Sequence, residues 1–237
     1  MRYRALATDF DGTIAHDGVV PPEVCAALER ARAAGLCLLL VTGRELPSLF
    51  DTFSHVPLFD RVVAENGALL YTPSTGAIRQ IAPSPPRAFV ERLVRERVPI
   101  SIGASIVATV EPYEHRVLAA IRDLGLEWHV IFNKGAVMAL PSGITKASGL
   151  VPALAELSID PAATIAVGDA ENDHAFLAMC GLKVAVSNAL PALKAAAQVV
   201  TVGARGDGVI ELVDRLIAGA FTEPPAARAS EPGRAQR

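Results

Sequence analysis

The sequence ALATDFDGT at residues 5–13 joins an apolar run to two carboxylates, Asp9 and Asp11, that are followed by a glycine. The apolar run predicts a buried β-strand that ends at Asp9. In an open α/β sheet, ligands bind just beyond the carboxyl ends of the strands. Two carboxylates at such an end attract a divalent cation. Taken alone, Asp-Gly-Thr is more typical of a solvated turn, so the rest of the chain has to decide between the two interpretations.

The composition describes a chain with a sizeable core and no surface suited to polyanions. Of its 237 residues 51% are hydrophobic, and the formal net charge is −3 without a basic face, so we expect no nucleic-acid partner. The longest apolar stretch, residues 36–41, is too short to span a bilayer, and no signal-peptide pattern opens the sequence. We therefore expect a cytoplasmic protein, a monomer or homodimer, that acts without a membrane. The three cysteines lie far apart, which is typical of core residues and not of a disulfide framework or a zinc site.

Residues 1–80 alternate between strand and helix patterns. A helix that begins at two prolines is followed by an apolar strand at 36–41, and a second helix leads to a strand at 61–64. Asn66-Gly67 then has the sequence of a hairpin turn. The order β-α-β-α-β predicts the α/β class, with a doubly wound, Rossmann-like parallel sheet.

The pattern changes after a turn-rich stretch at 73–86. Helix-strand-strand occurs twice up to residue 141, which predicts a small antiparallel sheet with helices on one face. We therefore divide the chain into a core at 1–80 and 142–220 and an inserted α+β cap at 81–141. Residues 221–237 are rich in Pro, Ala and Arg without periodicity, which predicts a disordered tail.

Functional side chains follow three predicted strands of the core, and a lysine opens the helix by which the chain re-enters it. These residues are Asp9, Asp11, Thr42, Lys146, Asp169 and Asp173. Four carboxylates that converge at one crevice repel each other, and a Mg²⁺ ion would resolve that conflict while binding a phosphate oxygen. The segment GDAEND at 168–173, taken alone, is as typical of a capped helix start, where the helix dipole favours acids. Its combination with the other strand ends favours the metal site.

Taken in order, DFDGT, Thr42-Gly43, Lys146 and GDAEND resemble the four motifs of the haloacid dehalogenase superfamily of phosphatases. The resemblance covers the whole predicted core, and the insertion falls between the second and third motifs. Residues 65–68, ENGA, make the chain similar to the branch of the Cof-type sugar phosphatases and sucrose phosphatase. Mannosyl-3-phosphoglycerate phosphatase and archaeal phosphoglycolate phosphatase belong to the same group. The chain departs from the pattern in its short cap and at His174, where an apolar residue is more usual.

The resemblance implies a role for each motif residue. Asp9 would be the nucleophile that forms an aspartyl-phosphate, and Asp11 would protonate the leaving group and then activate water. Thr42, through its hydroxyl and backbone N–H, and Lys146 would hold the phosphoryl oxygens. The implied Mg²⁺ ligands are Asp9, Asp11, Asp169 and Asp173. The implied substrate- and phosphate-binding residues are Asp11, Thr42, Gly43, Arg44, Lys146, Asn172 and Asn188.

Several polar residues remain ambiguous, because a solvated surface role is the commoner one for each of them. Arg44 is one such residue. In the cap, the candidates for substrate contacts are Glu111, Tyr113, His115, Arg116, His129 and Lys134.

Three functions fit these patterns to different degrees. The favoured one is Mg²⁺-dependent hydrolysis of a small phosphomonoester, such as a sugar phosphate or phosphoglycolate. A phosphosugar mutase resembling phosphomannomutase would use the same aspartyl-phosphate chemistry, but it needs several basic groups in the cap, and this cap has few lysines. A non-catalytic regulatory module tethered through the tail is the third alternative, against which the complete set of charged motif residues speaks.

Overall fold

The computed structural model describes residues 2–221, so the tail predicted at 221–237 lies outside the described residues apart from Phe221. The strands are β1 (Ala5–Asp9), β2 (Cys37–Val41), β3 (Arg61–Ala64), β4 (Leu69–Thr72), β5 (Ala77–Gln80), β6 (Ser101–Ile102), β7 (Val107–Val110), β8 (Trp128–Asn133), β9 (Ala136–Pro141), β10 (Thr164–Gly168), β11 (Leu182–Ala185) and β12 (Val199–Val200). The α-helices are α1 (Pro22–Ala33), α2 (Leu46–Thr52), α3 (Arg87–Arg95), α4 (Glu114–Asp123), α5 (Lys146–Glu156), α6 (His174–Met179), α7 (Pro191–Ala196) and α8 (Arg205–Ile217). Within residues 2–221, no helix combines the length and the apolar character that crossing a membrane requires.

An eight-stranded sheet forms the core, in the order β12-β11-β10-β1-β2-β3-β4-β5. The strands from β12 to β3 are parallel, whereas β4 and β5 are added antiparallel at one edge. All five residues of β1 are buried in the middle of this sheet, as expected for a parallel strand that is covered on both faces. The α/β class and the doubly wound, Rossmann-like core predicted from the sequence are confirmed.

The direction of chain winding reverses between β1 and β10. The chain moves from β1 to β2 towards one edge of the sheet and from β10 to β11 towards the other. Because parallel crossovers are right-handed, the helices α1 and α6 lie on opposite faces of the sheet. The crevice beyond the carboxyl ends of β1 and β10 is therefore the switch point at which such sheets bind ligands.

Strand β5 is a difference from the sequence-based prediction, which treats 73–86 as a turn-rich stretch. It pairs antiparallel with β4 and so extends the core sheet. All four of its residues are exposed, so no apolar alternation marks this edge strand in the sequence.

A second sheet of four antiparallel strands, in the order β6-β7-β9-β8, forms the predicted small α+β cap. Helices α3 and α4 cover one face of it with Phe89, Leu93 and Val117. The other face packs towards the core, where Met138 and Leu140 cluster with Ala68. These positions support a division of the chain at residues 80/81 and 141/142, which remains our proposal.

A buried carboxylate ties the cap to the core. Glu65 follows β3 and is 2% exposed. Its Oε1 accepts a hydrogen bond from the backbone N–H of Ala104 at 2.8 Å, and its Oε2 accepts from those of Ser105 at 2.8 Å and Ile106 at 3.1 Å. A side chain at Gly103 would lie 2.6 Å from Oε1, so this close approach requires glycine. Since hydrogen bonds to a charged acceptor are stronger than neutral ones, Glu65 holds this cap loop against the core.

Replacing Glu65 with glutamine should lower the free energy of unfolding by about 1–3 kcal/mol, because a buried amide group then faces backbone donors. Chemical denaturation measures this loss, and hydrogen exchange should become faster at the amides of residues 104–106. Glu45→Gln is the matched control, since Glu45 accepts from the cap hydroxyl of Ser101 at 2.6 Å but at an exposed position. The control should change stability by less than about 0.5 kcal/mol. Equal losses in both variants would contradict this role of Glu65.

Candidate active site

Asp9 is the last residue of β1. Its side chain is buried and forms an ion pair with a buried lysine. Lys146 is the first residue of α5 and is 1% exposed. Its Nζ donates to Asp9 Oδ1 at 2.5 Å and to Asp173 Oδ1 at 2.6 Å. A capping box between Thr145 and Ser148 fixes the start of α5. The helix terminus therefore places the ammonium group between two carboxylates.

Three carboxylates form an acidic cluster at this point. Asp9, Asp169 and Asp173 are buried, and each places one oxygen within 4.8 Å of the others. Burial, followed by the charge of Asp173, raises the pKa of Asp9 to about 8 even though Lys146 lies beside it. Burial also raises the pKa of Asp169. A divalent cation among these oxygens would remove the repulsion and keep Asp9 ionised at neutral pH, so the donor set fits Mg²⁺.

Asp173 is held by the loop in which it lies. Its Oδ2 accepts hydrogen bonds from the backbone N–H groups of Asp169 at 2.8 Å and Ala170 at 2.9 Å. Its Oδ1 is the acceptor for Lys146. With both oxygens engaged, the geometry favours Asp173 as the residue that orients Lys146 and the loop over a direct metal ligand.

Asp169 follows β10, and side chains from three other segments contact its carboxylate. Its Oδ1 accepts from the Thr13 hydroxyl at 3.3 Å, and its Oδ2 contacts Asn188 Nδ2 at 3.3 Å and Lys134 Nζ. Asn188 also donates to the carbonyl of Gly12 at 2.9 Å, which ties the loop after β1 to Asp169. Gly12 has a φ of +88°, and a side chain there would lie 2.3 Å from Asp169 Oδ2, so glycine is required.

Asp11 lies outside the acidic cluster and pairs with an arginine. Arg44 Nε donates to Asp11 Oδ2 and Arg44 Nη2 to Asp11 Oδ1, both at 2.8 Å. The guanidinium also lies over the ring of Phe10, with its carbon 5.2 Å from the ring centroid. Arg44 is therefore neither a solvated surface residue nor directed at the acidic cluster. It holds Asp11, a contact that the sequence did not predict.

The backbone N–H of Thr42, expected to hold a phosphoryl oxygen, is already used in strand pairing. Thr42 is buried after β2, and its backbone N–H donates to the carbonyl of Val63 at 2.8 Å. That N–H belongs to the pairing of β2 with β3, so only the Thr42 hydroxyl remains of the two expected donors. The hydroxyl oxygen accepts from the backbone N–H of Arg44 at 3.1 Å. The N–H of Gly43 has no hydrogen-bond partner within residues 2–221 and is the donor available to an oxyanion.

A cavity of about 400 Å³ lies between the cap and the core beside Lys146. Asn172 faces it, with its Nδ2 donating to Asn66 Oδ1 at 2.8 Å. Its Oδ1 is buried and has no partner in the described part of the chain. The residues around the cavity include Ile131, Phe132, Lys146, Asn172, His174 and Ala175. The structure thus brings the predicted motif residues to one end of the core sheet. Of the six cap candidates it brings Lys134 to Asp169, and it adds Thr13, which the sequence did not indicate as a separate site residue.

Known proteins resemble this chain in sequence and in fold. A family model described as haloacid dehalogenase-like hydrolase matches residues 6–104 and 114–213. Phosphoglycolate phosphatase from Methanothermobacter thermautotrophicus is 30% identical over 223 residues, which cover 90% of this chain and 99% of that enzyme. A crystal structure of a haloacid dehalogenase-like hydrolase from Bacteroides thetaiotaomicron has a TM-score of 0.77 at 18% identity, with 90% of this chain and 99% of that one covered. A subclass IIB sugar phosphatase of the same superfamily has a TM-score of 0.72 at 20% identity, with coverage of 90% and 98%.

The family match spans the segments that carry DFDGT, Thr42-Gly43, Lys146 and GDAEND, which are the residues that the structure gathers at the switch point. The superfamily predicted from these motifs is confirmed. The chain belongs to the haloacid dehalogenase-like hydrolases, as a phosphatase of that family.

Proposed function

We propose that the protein hydrolyses the phosphomonoester of a small metabolite, with phosphoglycolate as the first candidate and Mg²⁺ as the cofactor. The observation that carries this proposal is the buried Asp9 at the end of β1, whose Oδ1 lies 2.5 Å from Lys146 Nζ within an acidic cluster. Phosphoryl transfer requires a nucleophile, a cation for the phosphoryl oxygens and oxygen donors for a divalent ion, and this site offers all three. The relative named phosphoglycolate phosphatase supports the choice of substrate.

Two half-reactions would follow from this geometry. Asp9 would attack phosphorus in line, forming an aspartyl-phosphate while the ester P–O bond breaks and Asp11 protonates the leaving alkoxide. Asp11 would then take a proton from water, whose oxygen bonds to phosphorus as the bond to Asp9 breaks and inorganic phosphate leaves. Both carboxylate oxygens of Asp11 accept from Arg44 in this structure. Asp11 would therefore have to give up at least one of these hydrogen bonds before it donates or accepts the proton.

The remaining residues would bind and position. Lys146, the Thr42 hydroxyl and the Gly43 N–H would hold the phosphoryl oxygens. Asp9, Asp169 and the main-chain carbonyl of Asp11 would hold Mg²⁺, with Asp173 orienting Lys146. When bound, the ion offsets the charge that develops on the phosphoryl group. Asn188 would keep Asp169 in place, and Asn172 would present its unpartnered oxygen to the ligand.

The cap favours a hydrolase over a phosphosugar mutase. Within residues 2–221, one cap cation, Lys134, bonds to the core site, whereas a phosphosugar mutase needs several basic groups to bind its substrate in two orientations. The non-catalytic alternative does not hold, because the chain is an enzyme of this family. The expectations of a monomer or homodimer and of a cytoplasmic location stay predictions.

The test is phosphate release from phosphoglycolate, mannose 1-phosphate and p-nitrophenyl phosphate, with Mg²⁺ and with EDTA. We expect phosphoglycolate to have the highest kcat/KM, and EDTA to lower turnover by at least about 100-fold. Turnover that EDTA leaves unchanged would contradict the metal requirement. Isomerisation of mannose 1-phosphate faster than phosphate release would favour the mutase, and no release from any ester would refute the proposal.

A further inference from the structure

A lysine of the cap reaches into the acidic cluster. Lys134 lies in the turn between β8 and β9, and its Nζ forms an ion pair with Asp169 Oδ2. Among the polar cap residues predicted as substrate-contact candidates, Lys134 is the one that bonds to the core site within residues 2–221. A side chain at Gly12 would lie 2.4 Å from Lys134 Nζ, so the ammonium group rests on the loop that follows the nucleophile.

The backbone conformation of this turn does not favour a lysine. Lys134 has a φ of 50° and Gly135 a φ of 85°, so both residues of this two-residue loop are left-handed. Hairpins of this kind favour Asn or Asp followed by Gly, and a lysine in this conformation is uncommon. Unfavourable backbone conformations of this kind collect at functional sites, where another requirement selects the side chain. The side chain at this position is a cation that reaches the core at Asp169.

The ion pair between Lys134 and Asp169 uses a carboxylate oxygen that a metal ion at Asp169 would also need. Asp169 has a fully buried side chain, whereas that of Lys134 is 48% exposed. An ammonium group and a divalent cation repel each other strongly when they share one carboxylate oxygen. Mg²⁺ bound at Asp169 would therefore displace Lys134 from this oxygen, and the ammonium group would remain beside the site at the end of a long side chain.

The position of Lys134 shows which part of a substrate it would meet. In the proposed mechanism Asp9 and Lys146 would approach the phosphoryl group from the core. In-line transfer would place the leaving oxygen opposite Asp9, towards the cap. Lys134 belongs to the cap, so its ammonium group would meet the leaving group of the ester and not the phosphoryl oxygens that Lys146 would hold.

We propose that Lys134 binds a carboxylate on the leaving group and thereby selects phosphomonoesters that carry an acid close to the phosphate. This inference rests on the proposed function and narrows it to one substrate class. Phosphoglycolate has such a carboxylate, and a hexose phosphate does not. The ammonium group of Lys134 would form a charge-assisted hydrogen bond with this carboxylate, which an ester without a carboxylate cannot form.

Two esters of similar size test the proposal: phosphoglycolate, and 2-hydroxyethyl phosphate, which has a hydroxymethyl group in place of the carboxylate. Lys134→Met should lower kcat/KM for phosphoglycolate by about 10- to 100-fold, and for the neutral ester by less than about threefold. Lys134→Arg should recover part of the loss with phosphoglycolate. Lys194→Met, which removes a lysine of α7, is the matched control and should affect neither substrate.

Equal losses with both esters would overturn the proposal, because Lys134 would then act on the phosphoryl group or on the fold. Wild-type hydrolysis of the neutral ester but not of phosphoglycolate would overturn it while the phosphatase activity stands. If the wild-type protein hydrolyses neither ester but releases phosphate from p-nitrophenyl phosphate, the inference fails while the phosphatase activity stands. If no ester releases phosphate, the proposed function fails and the inference fails with it.

A binding measurement tests the ion pair without any turnover. Calorimetric titration of the metal-free protein with Mg²⁺ should give a Kd about two- to fivefold lower for Lys134→Met than for wild type, because no ammonium group competes for Asp169. Lys194→Met should bind Mg²⁺ as the wild type does. An unchanged Kd in Lys134→Met would mean that Lys134 does not hold Asp169 in solution, and it would remove the contact from which the position of Lys134 beside the site is argued.

Discussion

Asp9→Asn should lower kcat by at least about 10⁴-fold, because an uncharged amide cannot attack phosphorus to form the acyl phosphate. The substitution preserves the shape of the side chain and its position next to Lys146, so the loss reports the chemistry of the carboxylate. Phosphate release from p-nitrophenyl phosphate and phosphoglycolate measures it, with circular dichroism to show that the variant is folded. Asp51→Asn, which changes an exposed carboxylate of α2, is the matched control and should keep the wild-type rate. If Asp9→Asn retained turnover within about tenfold of wild type, Asp9 would not be the nucleophile.

The same substitution should change how the stability of the metal-free protein depends on pH. Burial and the charge of Asp173 raise the pKa of Asp9 from 3.8 to about 8 in the folded state. Between these values the folded protein holds a proton that the unfolded chain releases. The stability contributed by Asp9 is therefore fully present below about pH 4 and is lost as the pH rises towards 8.

Thermal denaturation in EDTA tests this pH dependence. Asp9→Asn has no carboxylate to titrate at this position. The Tm of the variant minus the Tm of the wild type should therefore increase as the pH rises from about 5 to about 8. A Tm difference that does not change with pH would show that the pKa of Asp9 is not raised in the metal-free protein.

Lys146→Met should lower kcat by about 10²- to 10³-fold, because it removes the buried cation that would stabilise the phosphoryl oxygens. It should also lower the free energy of unfolding of the metal-free protein by about 3–5 kcal/mol, since Asp9 and Asp173 would remain buried without their ammonium partner. Steady-state assays and chemical denaturation in EDTA measure the two effects. Lys194→Met again serves as the control and should change neither.

A double-mutant cycle separates this pairing from a general loss of packing. If Lys146 stabilises the protein by its contact with Asp173, its removal should cost less when Asp173 is already asparagine. We expect a coupling free energy of at least about 1 kcal/mol between Lys146→Met and Asp173→Asn. Losses that simply add would mean that the aliphatic chain of Lys146, and not its charge, stabilises this part of the core.

The fold of the core and the convergence of the motif residues could be predicted, because local sequence patterns specify the strands. Strand β2 has an apolar sequence throughout, and β10 is apolar after its first residue, Thr164, which marks parallel strands covered on both faces. Parallel strands present their carboxyl ends at one edge, so residues that directly follow β1, β2 and β10 must come together. The convergence of Asp9, Thr42 and Asp169 therefore follows from strand order alone.

Pairings between distant side chains could not be predicted in this way. The contacts of Arg44 with Asp11, Glu65 with the cap amides and Lys134 with Asp169 depend on how rigid segments pack and which rotamers then fit. Spacing in the sequence does not encode these distances. The use of the Thr42 N–H in strand pairing was hidden for a related reason, because a motif records residue types and not the hydrogen bonds of its backbone.

In the proposed mechanism Asp9 carries the phosphoryl group between two half-reactions. Asp11→Asn with p-nitrophenyl phosphate isolates the first of them, because this leaving group needs no proton from Asp11, whereas attack of water on the intermediate does. In a single-turnover experiment with Mg²⁺, p-nitrophenolate should appear faster than inorganic phosphate. Mass spectrometry of acid-quenched samples should then place one phosphoryl group on Asp9. Release of p-nitrophenolate and phosphate at the same rate, with no phosphoryl group on Asp9, would show that Asp9 does not carry the phosphoryl group.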